Sequence, residues 1–171
     1  MTLDLYGKAT GLIKEAHRQF GERLILTSHF NAESMFALHF VTQLFPDIQV
    51  LYLIDPHTHA FALRMRERFN LRMRVFQGSR DKLQSLLAAC ERIDGVAMVH
   101  GIRRYQTDVR SQKAAWELGT DGFYRIHPFL DFSAHEVADY IAMHDLPINE
   151  DVPRKDKKTE CGIHCFIPHS P

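Results

Sequence analysis

Short apolar runs that alternate with helical stretches constrain this chain more than any other feature. Leu24-Ile25-Leu26-Thr27, Val50-Leu51-Tyr52-Leu53-Ile54, Met73-Arg74-Val75-Phe76, Gly95-Val96-Ala97-Met98-Val99-His100 and a run around Phe123 to Ile126 read as strands. Helical spacing fills the intervals. Leu5, Leu12, Ile13, Ala16 and Phe20 share one face, with Gly21 as a stop, and Met35, Leu38 and Val41 share another. An arginine-rich helix is expected up to Phe69, another over about 80–92, and a further helical stretch near 111–118. The box Ser133-Ala134-His135-Glu136 opens the last helix, because Ser133 and Glu136 each satisfy the other's backbone donor. This alternation predicts an α/β fold: a single doubly wound, mainly parallel five-stranded sheet with helices on both faces.

At 171 residues, with 45% hydrophobic content, the chain has the size and core of one domain. Its formal charge is zero, 21 basic against 21 acidic side chains, so no global field recruits nucleic acid or an anionic membrane, and neither is expected as a partner. Any anion site must be local. No apolar run approaches the roughly 20 residues of a membrane span, and the first residues lack the layout of a signal peptide, so a cytoplasmic protein is expected. Three cysteines do not make a disulfide framework, and in a reducing compartment they read as thiols, metal ligands or catalytic groups. Oligomeric state is not legible, and a homodimer is left open.

In doubly wound sheets, ligands bind beyond the carboxyl ends of the strands, where the strand order reverses. The segments that fall there are Ser28 to Ser34, Asp55 to His59, Gly101 to Arg110 and the loop after Ile126. Ser28 and Ser34, beside a helix N-terminus, suit a phosphate cradle; an ordinary capped helix start, with Asn31 or Ser28 as cap, is the competing reading. Asn31 sits where a glycine might be expected, and Asn tolerates a left-handed backbone better than most residues. Arg103, Arg104 and Arg110 stand within eight residues, and their planar forks suit phosphate or sulfate oxygens better than a merely solvated turn requires.

The C-terminal residues carry Glu160-Cys161-Gly162-Ile163-His164-Cys165 after a run of mixed charge. A cysteine is a nucleophile only as thiolate, and Arg154, Lys155, Lys157, Lys158 or protonated His164 would lower the pKa of Cys161. Cys90, on the apolar side of its helix, reads as a small buried hydrophobe. Cys161, His164, Cys165 and His169 also offer four zinc ligands, but in a spacing too compact for a paired-knuckle site, so no metal is expected. The chain therefore divides into a nucleotide-binding α/β domain over residues 1–150 and a mobile catalytic tail over 151–171.

Four blocks of this sequence resemble, in order, those of the phosphoadenosine phosphosulfate (PAPS) reductases of the adenine-nucleotide α-hydrolase-like group. They are Thr27 to Ser34 for the modified pyrophosphate loop, Gly101-Ile102-Arg103-Arg104-Tyr105-Gln106-Thr107 through Arg110, His127-Pro128-Phe129-Leu130-Asp131-Phe132 continuing to His144-Asp145-Leu146-Pro147-Ile148-Asn149, and Glu160-Cys161-Gly162-Ile163-His164. Two segments depart from the family pattern: Asp55 to Phe61 looks shortened, and Glu150 to Thr159 replaces a longer loop. The resemblance implies reduction of PAPS to sulfite through an S-sulfocysteine on Cys161, regenerated by thioredoxin or glutaredoxin, with His164 as a supporting residue. It implies a sulfonucleotide held by Ser28, His29, Phe30, Ser34, Asp55, Gly101, Arg103, Arg104, Gln106 and Arg110. No bound cofactor is implied, and three cysteines cannot ligate a four-cysteine iron–sulfur cluster. Cys165 stands where the family commonly has glycine and is a candidate to resolve the intermediate. A nucleotide-binding relative without reductase activity, or another sulfur-transfer enzyme of the same fold, are the alternatives.

Overall fold

The computed structural model describes residues 2–151. Strands β1 (Leu24–Thr27), β2 (Gln49–Leu53), β3 (Met73–Phe76), β4 (Ala97–Val99), β5 (Trp116–Leu118) and β6 (Tyr124–Ile126) form one sheet in the order β3-β2-β1-β4-β6-β5. Neighbours run parallel except β5, which is antiparallel to β6. The helices are α1 (Thr2–Phe20), α2 (Ala32–Leu44), α3 (His59–Arg68), α4 (Lys82–Arg92), α5 (Asp108–Ser111) and α6 (Ala134–Met143).

The period-two alternation of strand side chains divides the core into two layers. Leu24, Leu26, Val50, Tyr52, Ala97, Val99 and Ile126 face the larger layer, which α1, α2, α3 and α6 cover. Ile25, Leu51, Leu53 and Met98 face the other, which α4 closes with Leu86, Ala89 and Cys90. Each fully buried aliphatic side chain of these strands contributes about 1.5–3 kcal/mol. Helix α2 is buried nearly all round, from Met35 to Thr42, which suits the central helix of a layer. Its Phe36 ring lies 4.9 Å from Phe129, 5.2 Å from Phe132 and 4.9 Å from Tyr140, so the His127-to-Phe132 segment and α6 are packed onto it.

The sheet has six strands where the sequence pattern predicts five. The stretch read as helical, 111–118, is instead the end of the four-residue α5 followed by β5. The turn chemistry explains the difference. Gly119-Thr120-Asp121-Gly122 supplies a hairpin, with Gly122 at φ +83°, Gly119 N–H donating to the Phe123 carbonyl and Asp121 accepting from Phe123 N–H. The capping box of α6 is present in both directions, from Glu136 N–H to Ser133 Oγ (3.2 Å) and from Ser133 N–H to Glu136 Oε2 (2.8 Å).

Candidate functional site at the strand-order reversal

Strand order reverses between β1 and β4, whose carboxyl ends are Thr27 and Val99. A buried side-chain bridge joins them: Thr27 Oγ1 lies 3.2 Å from the Val99 carbonyl and 2.9 Å from His100 Nδ1. The His127 ring is 5.7 Å from that of His100, and its Nδ1 is 2.8 Å from the Ala114 carbonyl. Burial pushes His127 down to about 4, so it is neutral at physiological pH and donates from Nδ1.

The loop after β1 turns sharply into α2. Ser28 is buried, its N–H donates to the Leu51 carbonyl, and its Oγ accepts from Phe30 N–H (3.3 Å). Phe30, not Asn31, takes the left-handed backbone, at φ +55°. That conformation costs a bulky residue of the order of 1 kcal/mol or more, and here the full burial of the ring, edge-on to Tyr52 at 5.2 Å, offsets it. Asn31 is extended and caps α2 by accepting from Ser34 N–H (2.8 Å), while Ser34 Oγ donates back to the Asn31 carbonyl (3.0 Å). His29 is half-buried beside them.

The segment after β4 faces this loop. Gly101 lies against α2, where a Cβ would come 3.0 Å from that of Ala37, so its place in the block is one of close packing. Arg103 is fully buried, and its Nε, Nη1 and Nη2 have no aligned hydrogen-bond acceptor. The Glu33 carboxylate abuts Arg103 Nη2 as an ion pair off the N–H axes, and the Tyr105 ring lies 5.0 Å from the guanidinium carbon. Gln106 organises the rest. Its Nε2 donates to Glu33 Oε2 (2.6 Å), and its Oε1 accepts from Arg103 N–H (3.0 Å) and from Arg110 Nη1.

The three arginines therefore separate. Arg103 and Arg110 are both buried and meet at Gln106. Arg104 points elsewhere, donating to Asp131 (2.8 Å) and to the carbonyls of Ser111 (3.1 Å) and Lys113 (2.6 Å), so it ties the α5 loop to the loop before α6. Asp55 also has local work: its Oδ1 accepts from His57 N–H (2.9 Å) and its carbonyl from Thr58 and His59. The neighbouring Tyr52 hydroxyl lies 2.9 Å from Thr58 Oγ1. Asn149 is buried and donates to the His57 carbonyl (3.1 Å), which brings the last described residues onto the β2–α3 loop.

Cys161, His164 and Cys165 lie outside the described residues, as do all the tail positions beyond Asp151. Cys90 is buried on α4 and its thiol is pushed up to about 12, chiefly by burial, which leaves it inert. No group of three or more metal-ligating side chains occurs among the described residues, and none of their helices is long and apolar enough to cross a membrane. A depression of about 260 Å³ between the end of β3 and α4, lined by Phe76, Ser79, Ser85 and Arg92, contains none of the residues at the strand-order reversal. The sequence pattern assigns no role to Glu33, Thr27, His100, His127 or Asn149, although all but His100 stand in the quoted blocks. For Glu33, nothing local tells that its partner lies in a segment 73 residues away.

Chemically, the reversal offers a buried cation lacking aligned acceptors, a second buried arginine on the same Gln106 oxygen that takes Arg103 N–H, and the amides at the start of a 13-residue helix. That combination is chemically suited to an oxyanion with several oxygens. Comparison with known proteins finds relatives of one description. Residues 79–150 match the family model described as the phosphoadenosine phosphosulfate reductase domain. A phosphoadenosine 5'-phosphosulfate reductase of Synechococcus sp. is 28% identical over 170 residues, covering 81% of this chain and 73% of that protein. One from Alkalilimnicola ehrlichii is 29% identical over 160 residues, covering 75% of this chain and 64% of that protein. Among solved structures, yeast FAD synthetase in complex with FAD superposes with a TM-score of 0.74 at 14% identity, over 86% of this chain and 60% of that one. That likeness is one of fold alone.

Proposed function

We propose, for a chain that belongs through residues 79–150 to the phosphoadenosine phosphosulfate reductase family, that it reduces the sulfo group of PAPS to sulfite with Cys161 as nucleophile. The observation that carries this reading is the fully buried Arg103 guanidinium at the strand-order reversal, whose N–H groups lack aligned acceptors. Thiolate attack on a sulfur already surrounded by anionic oxygens is opposed by charge repulsion, and fixed cations in a site shielded from water offset it.

In the first step the Cys161 thiolate attacks sulfur and the bond from sulfur to the bridging phosphate oxygen breaks. Adenosine 3',5'-bisphosphate leaves with that electron pair, and Cys161 carries the sulfo group. A thiol then attacks Cys161 Sγ, sulfite leaves with the electron pair of the sulfur–sulfur bond, and the two thiols end as a disulfide. The sulfur gains the two electrons that the dithiol loses. Reduced thioredoxin or glutaredoxin, in a cytoplasmic setting, supplies that dithiol; Cys165 is the alternative first attacker, giving an internal disulfide that the donor then reduces. Ser28, the loop amides and Ser34 hold the nucleotide, Arg103 and Arg110 offset its charge, and His164 supports the thiolate. The scheme uses no iron–sulfur cluster.

Sulfite release from PAPS in the presence of reduced thioredoxin tests the reading. Release that disappears in Cys161→Ser while nucleotide binding persists is the expected result. Binding of PAPS with no sulfite from the unmodified protein would remove the reductase and leave a nucleotide-binding relative.

A further inference from the structure

Arg103 and Glu33 form an ion pair of unequal burial: the arginine side chain is 0% exposed and the glutamate side chain 49%. That asymmetry decides which partner can move. Arg103 is held by the protein around it, with Tyr105 against its guanidinium and its backbone N–H on Gln106, whereas Glu33 stands at the second residue of α2 with half its surface in water. Releasing Glu33 to solvent costs little, because an exposed carboxylate keeps most of its hydration. Leaving Arg103 without any counter-charge costs much more. Glu33 thus fills, in the ligand-free protein, the role an oxyanion would fill, and fills it imperfectly, since its oxygen sits off the N–H axes of a guanidinium that has no aligned acceptor.

We infer that Glu33 is an exchangeable counter-ion that competes with the nucleotide's sulfo or phospho group for Arg103, moving aside when the anion binds and returning when product leaves. This rests on the reading of the cleft as the nucleotide's anion site. A tetrahedral oxyanion brings three oxygens to donors that the carboxylate leaves unmatched, so it displaces Glu33, while a simple carboxylate ligand gains nothing over the resident one. Returning to Arg103, Glu33 also raises the dissociation rate of the anionic product. Gln106 marks its resting position through the 2.6 Å hydrogen bond to Oε2.

The test titrates PAPS into Cys161→Ser protein, which blocks turnover, with and without Glu33→Gln. Glutamine keeps the shape and an oxygen to accept from Gln106 but loses the charge. Removing the competitor tightens binding by about tenfold, with most of the change in a slower dissociation rate. A merely structural glutamate predicts the opposite sign. Equal or weaker binding by Glu33→Gln, where the Cys161→Ser protein that keeps Glu33 binds PAPS, overturns the inference and leaves the nucleotide reading standing. Absence of PAPS binding from both proteins overturns both. If Glu33→Gln does not fold, Glu33→Asp decides: one methylene shorter, it cannot span Arg103 and Gln106 together, so tighter binding supports the exchange and unchanged or weaker binding refutes it.

Discussion

Gln106 Nε2 donates to Glu33 Oε2 over 2.6 Å, joining the start of α2 to the turn after β4 across 73 residues of sequence. The direction of that amide matters, because the same side chain presents its oxygen to Arg103 N–H and Arg110. Gln106→Glu places a second carboxylate against Glu33 and should destabilise the fold by about 1–3 kcal/mol. Adding Glu33→Gln should restore most of the loss, since the new amide donates to Glu at 106. Urea denaturation of the two single variants and the double variant checks this as a cycle; additive losses would mean that the two side chains do not interact.

Arg103 and Arg104 are adjacent in sequence and opposite in expected effect. Arg103→Met should reduce PAPS affinity by about 100-fold or more while changing stability little, because an apolar side chain takes the buried position and the Glu33 carboxylate left behind stands half in water. Arg104→Ala should lower stability by about 1–2 kcal/mol through lost bonds to Asp131, Ser111 and Lys113, and leave affinity within about threefold. Calorimetric titration beside urea denaturation separates the two. The reverse pattern would move the anion site to Arg104.

His127 makes stability depend on pH in a definite direction. Burial holds it at about 4, below its ordinary 6.5, so the unfolded chain binds this proton more tightly than the folded one. The contribution is fully present above about 6.5 and is lost as pH falls from there toward 4, at about 1.4 kcal/mol per unit and about 3 kcal/mol in all. His127→Asn keeps a donor toward the Ala114 carbonyl and removes the titration. Urea denaturation across that range should therefore give a shallower slope for the variant; identical slopes would show that His127 does not carry the effect.

Ser133 opens α6 and accepts from Glu136 N–H. Ser133→Ala should cost about 1 kcal/mol. The loss should appear in thermal unfolding without any change in nucleotide binding, because α6 meets α2 through Tyr140 and Phe36, away from the strand-order reversal.

What was legible in the sequence was what depends on neighbours in sequence. The strands β1 to β4 and β6, the α6 capping box and the burial of Cys90 follow from period, cap chemistry and apolar flanks. Strand β5 did not follow, because three residues are too few to establish a period and the stretch near 111–118 reads as helical. Arginine identity pointed to anion chemistry but could not separate Arg103 from Arg104: they are separated by Asp131 and by Ser111 and Lys113 carbonyls that only the folded chain brings near. Asn31 tolerates a left-handed backbone by propensity, yet Phe30 adopts it, because a buried ring against Tyr52 outweighs a local preference.

The hydrogen bond from Asn149 to the His57 carbonyl fixes where the remainder of the polypeptide departs. It ties two segments 92 residues apart in sequence, so the stretch after α6 and the turn after β2 share one attachment. Substituting Asn149 therefore frees residues 144–151 from the β2–α3 loop while leaving the hydrogen bonds of Thr27 and Gln106 in place, so a variant there separates the anchoring of one segment from the geometry of the cleft.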